Sequence, residues 1–335
     1  MLSTAIPVTI LTGFLGAGKT TLLNRILNGD HGLRIAVLVN DFGSINIDSD
    51  LIVGIEEGGD IISLANGCVC CNIREDLLEA VQAVIARPEQ PEYILLEASG
   101  VAEPSGIVIT FQNPSLRDSI RLDSIMCLMD ASQIFAVPEM MQLKLRQIAF
   151  ADMLILNKAD LVDRKEIARI KEWLDEHFHR YRLVESTRGE VPLEILLSAG
   201  RFDPSQLDEK HHDHHDCCGA HCDHHPHDHT EDFATWSYET DHPLSLETLR
   251  EVARKLPASI YRCKGVIHSI DSPGQRAVLQ VVGKRVDISM DRVWTDAPRT
   301  RIVAIGATNS LREGEMKSIF DPCLSSPSFH EFAKS

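Results

Sequence analysis

An α/β fold, with a mostly parallel sheet in a first domain and a smaller α/β domain behind it, is what this sequence of 335 residues predicts. Three observations carry the prediction. The glycine-rich octapeptide Gly13-Phe14-Leu15-Gly16-Ala17-Gly18-Lys19-Thr20 stands between a short apolar run and a helix-patterned segment. Further apolar runs of strand length end in a polar residue, at Glu97, Asp130 and Asn157. Beyond a histidine-rich stretch, strand and helix patterns resume in the order β-α-β-β-β-β-α. Short, continuous apolar runs suit strands buried on both faces, as in a parallel sheet.

The first strand is read at Pro7 to Leu11, through Val8, Ile10 and Leu11. From Thr21 to Leu27 the residues Leu22, Leu23, Ile26 and Leu27 fall at helical spacing. Strand, glycine loop and helix are the context that a phosphate-binding P-loop, Gly-x-x-x-x-Gly-Lys-Thr, requires. Gly13, Gly16 and Gly18 let the backbone curl around oxygens with its N–H groups inward, so the cradle runs through Ala17 to Thr21. The helix start adds partial positive charge. Lys19 reaches the β- and γ-phosphates, and the Thr20 hydroxyl binds Mg²⁺.

The run Met153 to Leu156 leads into Asn157-Lys158-Ala159-Asp160. This Asn-Lys-x-Asp pattern identifies the base as guanine. The Asp160 carboxylate can accept from both N1–H and the N2 amino group, whereas adenine offers neither and leaves the charge unpaired. Lys158 can lay its stem along the base, and Asn157 can tie this loop to the P-loop. The first domain is therefore read as a P-loop GTPase domain, with GTP or GDP as its nucleotide. Between the two motifs, Tyr93-Ile94-Leu95-Leu96-Glu97 is a strand ending in an acid that holds Mg²⁺, directly or through water. Gly100, three residues on, can turn its N–H to the γ-phosphate. The run Ile125 to Met129 ends in Asp130, for which two readings stand: a residue of the site, or a helix cap for the next segment.

Gly67-Cys68-Val69-Cys70-Cys71 sets three thiols within four positions. In an extended segment Cys68 and Cys70 share a side, and a turn brings in Cys71. Asn72 to Val81 reads as an amphipathic helix, whose N-terminus favours thiolates. Three soft sulfurs suit Zn²⁺, or Co²⁺ or Cu⁺, with a fourth position open for exchange. The alternatives are a redox pair or buried small hydrophobes. The thiols fall between the P-loop and Glu97, where P-loop GTPases keep the segments that order around the γ-phosphate.

Composition narrows the class. A formal charge of −16 argues against nucleic acid or anionic membrane as partner. No apolar stretch approaches the ~20 residues that span a bilayer, and no secretion signal is evident. The expected compartment is the cytoplasm, where nine cysteines serve as thiols or metal ligands and not as a disulfide framework.

Taken with Thr12 to Thr21, Asn40-Asp41-Phe42-Gly43, Gly67 to Cys71, Glu97 to Gly100 and Asn157 to Asp160, the chain resembles the CobW-like P-loop GTPases over nearly its whole length. The resemblance implies slow hydrolysis of GTP to GDP and phosphate, coupled to delivery of a transition metal. It implies Mg²⁺ at the nucleotide and Zn²⁺, or Co²⁺ or Ni²⁺, at the thiols. Val39, Asp41 and Ser44 stand where that family often carries Glu, so Asp41 is the carboxylate left in this loop for Mg²⁺, directly or via water. The expected partners are metalloprotein clients and other copies of the chain.

Residues 211–229 hold nine His, three Cys and four Asp. The imidazoles are His211, His212, His214, His215, His221, His224, His225, His227 and His229. Without hydrophobic periodicity this is a linker, and its donors suit weak, exchangeable sites for Zn²⁺, Ni²⁺, Co²⁺ and copper. The expected organisation is a GTPase domain over 1–205, a His/Cys-rich linker over 206–232 and a C-terminal α/β domain over 233–335. In the last, strands are read at Phe233 to Tyr238, Ile260 to Ile270, Ala277 to Val282, Val286 to Met290 and Arg301 to Ile305. Helices are read at Leu244 to Leu256 and Leu311 to Ile319. Arg262, Lys264, His268 and Trp294 read as structural or interface residues. Metal buffering with a regulatory GTP site, and cobalt or nickel insertion, are the alternatives to zinc delivery.

Overall fold

The computed structural model describes residues 5–39, 61–63, 73–111, 113–116, 118–197, 233–295, 297–308 and 314–324. The first domain runs β1 (Ile6–Thr12), α1 (Lys19–Leu27), β2 (Ile35–Val39), β3 (Ile61–Ser63), α2 (Ile73–Ile85), β4 (Tyr93–Glu97), α3 (Pro104–Phe111), β5 (Ile120–Asp130), α4 (Met141–Phe150), β6 (Met153–Asn157), α5 (Arg164–His177), β7 (Leu183–Glu185) and α6 (Leu193–Leu196). Its sheet has seven strands in the order β3-β2-β4-β1-β5-β6-β7, every neighbouring pair parallel. β1, β2, β4 and β6 are buried along their whole length. That is why they read as unbroken apolar runs and not as alternating ones.

Alternate side chains serve two cores. Val8 and Ile10 pack with α2 and α3 through Leu77, Val81 and Ile107, whereas Leu11 packs with α1 through Leu22, Leu23 and Ile26. The carboxyl ends of β1, β4, β5 and β6 form one rim. There Leu11 lies level with Glu97, and Asp130 with Asn157. β2 and β3 reach the same rim, with Val39 level with both Glu97 and Ser63.

The second domain runs β8 (Phe233–Thr240), α7 (Leu246–Arg254), β9 (Ile260–His268), β10 (Gln275–Val282), β11 (Arg285–Val293), β12 (Thr300–Ala307) and α8 (Glu315–Phe320). Its five strands are antiparallel in the order β11-β10-β9-β12-β8. Leu279, Val281, Ile302 and Ala304 pack under α7 and α8, whereas Tyr261, Val282 and Ile305 join the core of the first domain. The sheet is thus a middle layer between its own helices and the GTPase-like domain.

Buried polar contacts seal that junction. Arg262 Nη2 donates to Asp123 Oδ2 at 3.0 Å, and its Nη1 donates to the Ile195 carbonyl at 2.8 Å. Asp123 also accepts from the Tyr93 hydroxyl at 2.7 Å, and Tyr93 meets Thr9 Oγ1 at 2.8 Å. Arg285 Nε meets Asp152 Oδ2 at 3.1 Å. Desolvation pushes the Asp152 carboxyl up, against the pull of Arg285.

Several boundaries move from the sequence expectation. α1 starts at Lys19 and not Thr21, because Gly18 turns left-handed and opens the helix early. The Leu244 to Leu256 helix shortens to Leu246–Arg254, with the Ser245 side chain capping the Thr248 amide. The strand expected to reach Ile270 ends at His268, and the last helix starts only after Gly314. Among the described residues, no helix is long and apolar enough to cross a membrane.

Candidate functional site

The P-loop joins β1 to α1 at the rim. Gly18 sits at φ 98°, and a Cβ on it would come 2.4 Å from Asn157 Nδ2, so this position admits glycine alone. Lys19 is buried and folds back over the loop, donating to the carbonyls of Gly13 at 3.0 Å and Phe14 at 3.4 Å. Its ammonium therefore waits at the cradle. The first-turn N–H groups of α1 add their partial charge. Leu15, Gly16 and Thr21 are exposed at the mouth, while Ala17 is buried beneath it.

Thr20 Oγ1 donates to Glu97 Oε1 at 2.8 Å. Two of the three groups assigned to Mg²⁺ by sequence are thus in contact beside the lysine. Hard oxygen donors next to an anion cradle are the donor set that a magnesium–phosphate pair takes. Glu97 itself is buried, 2% exposed, so its carboxylate is aimed within the site and not at bulk water.

Asn157 closes the Asn-Lys-x-Asp loop on the phosphate loop. Its Nδ2 donates to the Ala17 carbonyl at 2.9 Å, and its Oδ1 accepts from the Gly189 amide at 3.0 Å. Lys158 adopts φ 59° and pairs its Nζ with Asp130 Oδ2 at 2.7 Å. Asp130 Oδ1 accepts from the amide and hydroxyl of Ser132, at 2.9 and 2.7 Å. Burial opposes ionisation of Asp130, but the Lys158 and Ser132 hydrogen bonds outweigh it and hold the carboxyl below the usual carboxylate range. Asp130 thus contacts Lys158 of the Asn-Lys-x-Asp loop and shapes a local turn at Ser132. Asp160 lies exposed in the single turn Ala159–Leu161 and makes no side-chain hydrogen bond among the described residues. A carboxylate placed so can meet two donors of a base.

Sequence reasoning missed two parts of this site. The segment Ser186 to Gly189 backs the base loop, through the Ser186 carbonyl on the Ala159 amide at 3.1 Å and the Gly189 amide on Asn157. Its signal was faint: one glycine after a three-residue strand. The other part is the buried face of α4, where Lys144 and Gln147 point at the rim loops. Nothing in the local pattern sets them apart.

Cys68, Cys70, Cys71, Asp41 and the nine histidines from His211 to His229 lie outside the described residues. Among the described residues, no group of three or more His, Cys, Asp or Glu is set to hold a metal ion. Cys127, Cys263 and Cys323 are buried free thiols. Desolvation pushes Cys127 and Cys263 up to about 12, so neither is a thiolate near neutral pH.

Known proteins resemble this chain along both domains. Residues 7–185 match the CobW/HypB/UreG nucleotide-binding domain, and residues 233–324 match the cobalamin synthesis protein cobW C-terminal domain. The chain is 36% identical over 340 residues to a Pseudomonas aeruginosa protein named zinc chaperone CobW, covering 90% of this chain and 87% of that one. It is 30% identical over 329 residues to a protein of Escherichia coli K12 named zinc chaperone YjiA, covering 94% and 98%. A Sinorhizobium protein, also named zinc chaperone CobW, is 29% identical over 344 residues, covering 90% and 92%.

Proposed function

Because the chain belongs to the CobW/HypB/UreG family of nucleotide-binding proteins, with the cobW C-terminal domain behind it, we propose that it is a GTP-hydrolysing metallochaperone that carries Zn²⁺ and hands it to metalloprotein clients. The observation that carries the nucleotide half is the Asn157–Ala17 hydrogen bond. It brings the base-reading loop and the phosphate loop to one place, with the Thr20–Glu97 pair beside them.

The chemistry derives from these groups. The P-loop amides and Lys19 hold the phosphates and stabilise the charge that builds as water attacks the γ-phosphorus in line and the β–γ bridging bond breaks. Mg²⁺, when bound, would supply charge neutralisation, held by Thr20 and Glu97, with Asp41 contributing directly or through water. Asp160 selects guanine.

Zinc is the cargo in this reading. Its proposed ligands are the thiolates of Cys68, Cys70 and Cys71, with the fourth position open so that a client ligand can displace the protein by exchange. The placement of the chain around them supports coupling. The segment 64–72 leaves β3 at Ser63, two strands from Glu97 and so about 10 Å away. It re-enters the fold at α2, whose first residue is Ile73. A segment anchored at the phosphate rim is suited to bind metal differently in the GTP and GDP states, and by linkage metal must then change nucleotide affinity by the same factor.

The test is the Kd of a non-hydrolysable GTP analogue for apo and zinc-loaded protein, and for Cys68→Ser/Cys70→Ser/Cys71→Ser. Coupling predicts a zinc-dependent shift in the wild type and none in the triple variant. Equal Kd values with and without zinc would end the coupled reading. The nine histidines of 211–229 favour a second reading, metal buffering with a regulatory GTP site. Deleting 211–229 abolishes most metal capacity under that reading, and spares tight zinc binding and metal-responsive GTPase activity under the first. Competing Co²⁺ and Ni²⁺ against Zn²⁺ at the thiols tests cobalt or nickel insertion.

A further inference from the structure

Helix α4 presents two buried polar side chains to the rim, one turn apart. Gln147 is 1% exposed, and its Nε2 donates to the carbonyls of Gly100 and Ala102, both at 3.1 Å. Lys144 is 3% exposed, and its Nζ donates to the carbonyls of Gln133 at 3.2 Å, Ile134 at 2.9 Å and Ala136. The same ammonium lies 4.7 Å from the ring centre of Phe14 in the P-loop. One helix face therefore holds three loops: the phosphate loop, the loop after β4 and the loop after β5.

The contact at Gly100 gives this a consequence for chemistry. A Cβ on Gly100 would fall 2.8 Å from the Leu15 backbone nitrogen and 2.6 Å from Leu15 Cδ2. Gly100 is thus clamped, with the P-loop on one side and Gln147 on the other. Three residues earlier the same stretch carries Glu97, which is bonded to Thr20. The loop between them is the segment whose backbone faces the terminal phosphate if the nucleotide sits in the P-loop. A neutral amide suits the task, since it donates two hydrogens without bringing a charge beside Lys144 and Glu97.

We infer that Gln147 is a positioning residue for GTP hydrolysis: it sets the backbone of 98–102 so that the site distinguishes a γ-phosphate from its absence. This rests on the GTPase reading above. A purely structural Gln147 would affect GDP and GTP states alike. A positioning Gln147 affects the triphosphate state alone, because GDP has no group that reaches the loop.

The experiment compares full-length wild type with Gln147→Leu, which matches the volume but donates nothing. Kd for GDP and for a non-hydrolysable GTP analogue, and kcat and KM for GTP, are measured with Mg²⁺. The expected result is a GDP Kd within about twofold of wild type, an analogue Kd raised about tenfold, and kcat lowered by about ten- to a hundredfold, the scale of a misplaced reacting group. A parallel loss of GDP and analogue affinity, or an unchanged ratio with unchanged kcat, overturns the inference. A wild type that binds neither nucleotide overturns the GTPase reading instead. If circular dichroism finds Gln147→Leu unfolded, Gln147→Glu takes its place. Its carboxylate repels the two carbonyls and its protonated form donates to one, so kcat relative to wild type should rise as pH falls. A flat ratio across pH counts against the inference.

Discussion

Thr20 and Glu97, 77 residues apart in sequence, meet in a hydrogen bond of 2.8 Å at the rim of the parallel sheet. One lies in the first turn of α1 and the other closes β4, so the pairing depends on β1 and β4 being neighbours in register. Replacing either oxygen should remove the same function. Thr20→Val and Glu97→Gln are each expected to lower single-turnover GTP hydrolysis by about a hundredfold. Because the two act on one site, the double variant should lose little more than the worse single one. Additive losses would mean that they act separately.

Asp160 stands exposed at the end of β6 with Asn157 and Lys158 fixed behind it. Asp160→Asn replaces an acceptor-only group with one that also donates. GTP affinity should fall by about a hundredfold or more, and xanthosine triphosphate, which offers a carbonyl where guanine offers an amino group, should gain. Equilibrium titration with the two nucleotides decides it, and unchanged GTP affinity would remove Asp160 from the base site.

The Arg262–Asp123 pair is buried, with side chains 2% and 1% exposed. Arg262→Met leaves the buried Asp123 carboxylate to the partly exposed Arg121, 3.3 Å away, and should cost about 3 kcal/mol in urea unfolding, the low end for breaking a buried pair. Arg262→Met with Asp123→Leu should recover part of that loss, since it removes the buried carboxylate but takes a partner from Arg121 and from the Tyr93 hydroxyl. A cost near zero for Arg262→Met would show that the junction contributes little to stability.

Lys264 lies in β9 beside Arg262, Asp123 and Arg121. Desolvation, reinforced by the positive charge of Arg262, lowers its pKa from 10.5 to about 7. The folded state therefore releases this proton before the unfolded chain does, and stability gains with pH from about 7 up to 10.5. Below that window the burial cost is carried in full. Lys264→Met should raise the unfolding midpoint most at pH 6 and progressively less toward pH 10. A difference between the two proteins that does not vary with pH would mean that Lys264 keeps its ordinary titration.

Some elements were legible because they depend on near neighbours. β4 is found at Tyr93–Glu97 as read, since five consecutive apolar-to-acid positions leave little else for the segment to be. The P-loop and the Asn-Lys-x-Asp loop were legible because each is a run of adjacent residues. The extent of β5 was not: it runs from Ile120, five residues before the apolar run. Its early residues Arg121 and Asp123 are polar because they face Gln280 and Arg262 of the second domain.

The sequence alone determined that a P-loop, an acid-tipped strand and an Asn-Lys-x-Asp loop occur in the order of a P-loop GTPase, and that three thiols fall between the first two. Tertiary structure decided which polar residues serve that site. Nothing local marks Lys144 and Gln147 until α4 is laid across the rim, where Lys144 meets carbonyls of the preceding loop and Gln147 meets carbonyls 47 and 45 residues away. Asp130 became the partner of Lys158 only when β5 and β6 were placed side by side. Local pattern stems from steric preference and burial period, but a buried polar group is explained only by the distant atom that satisfies it.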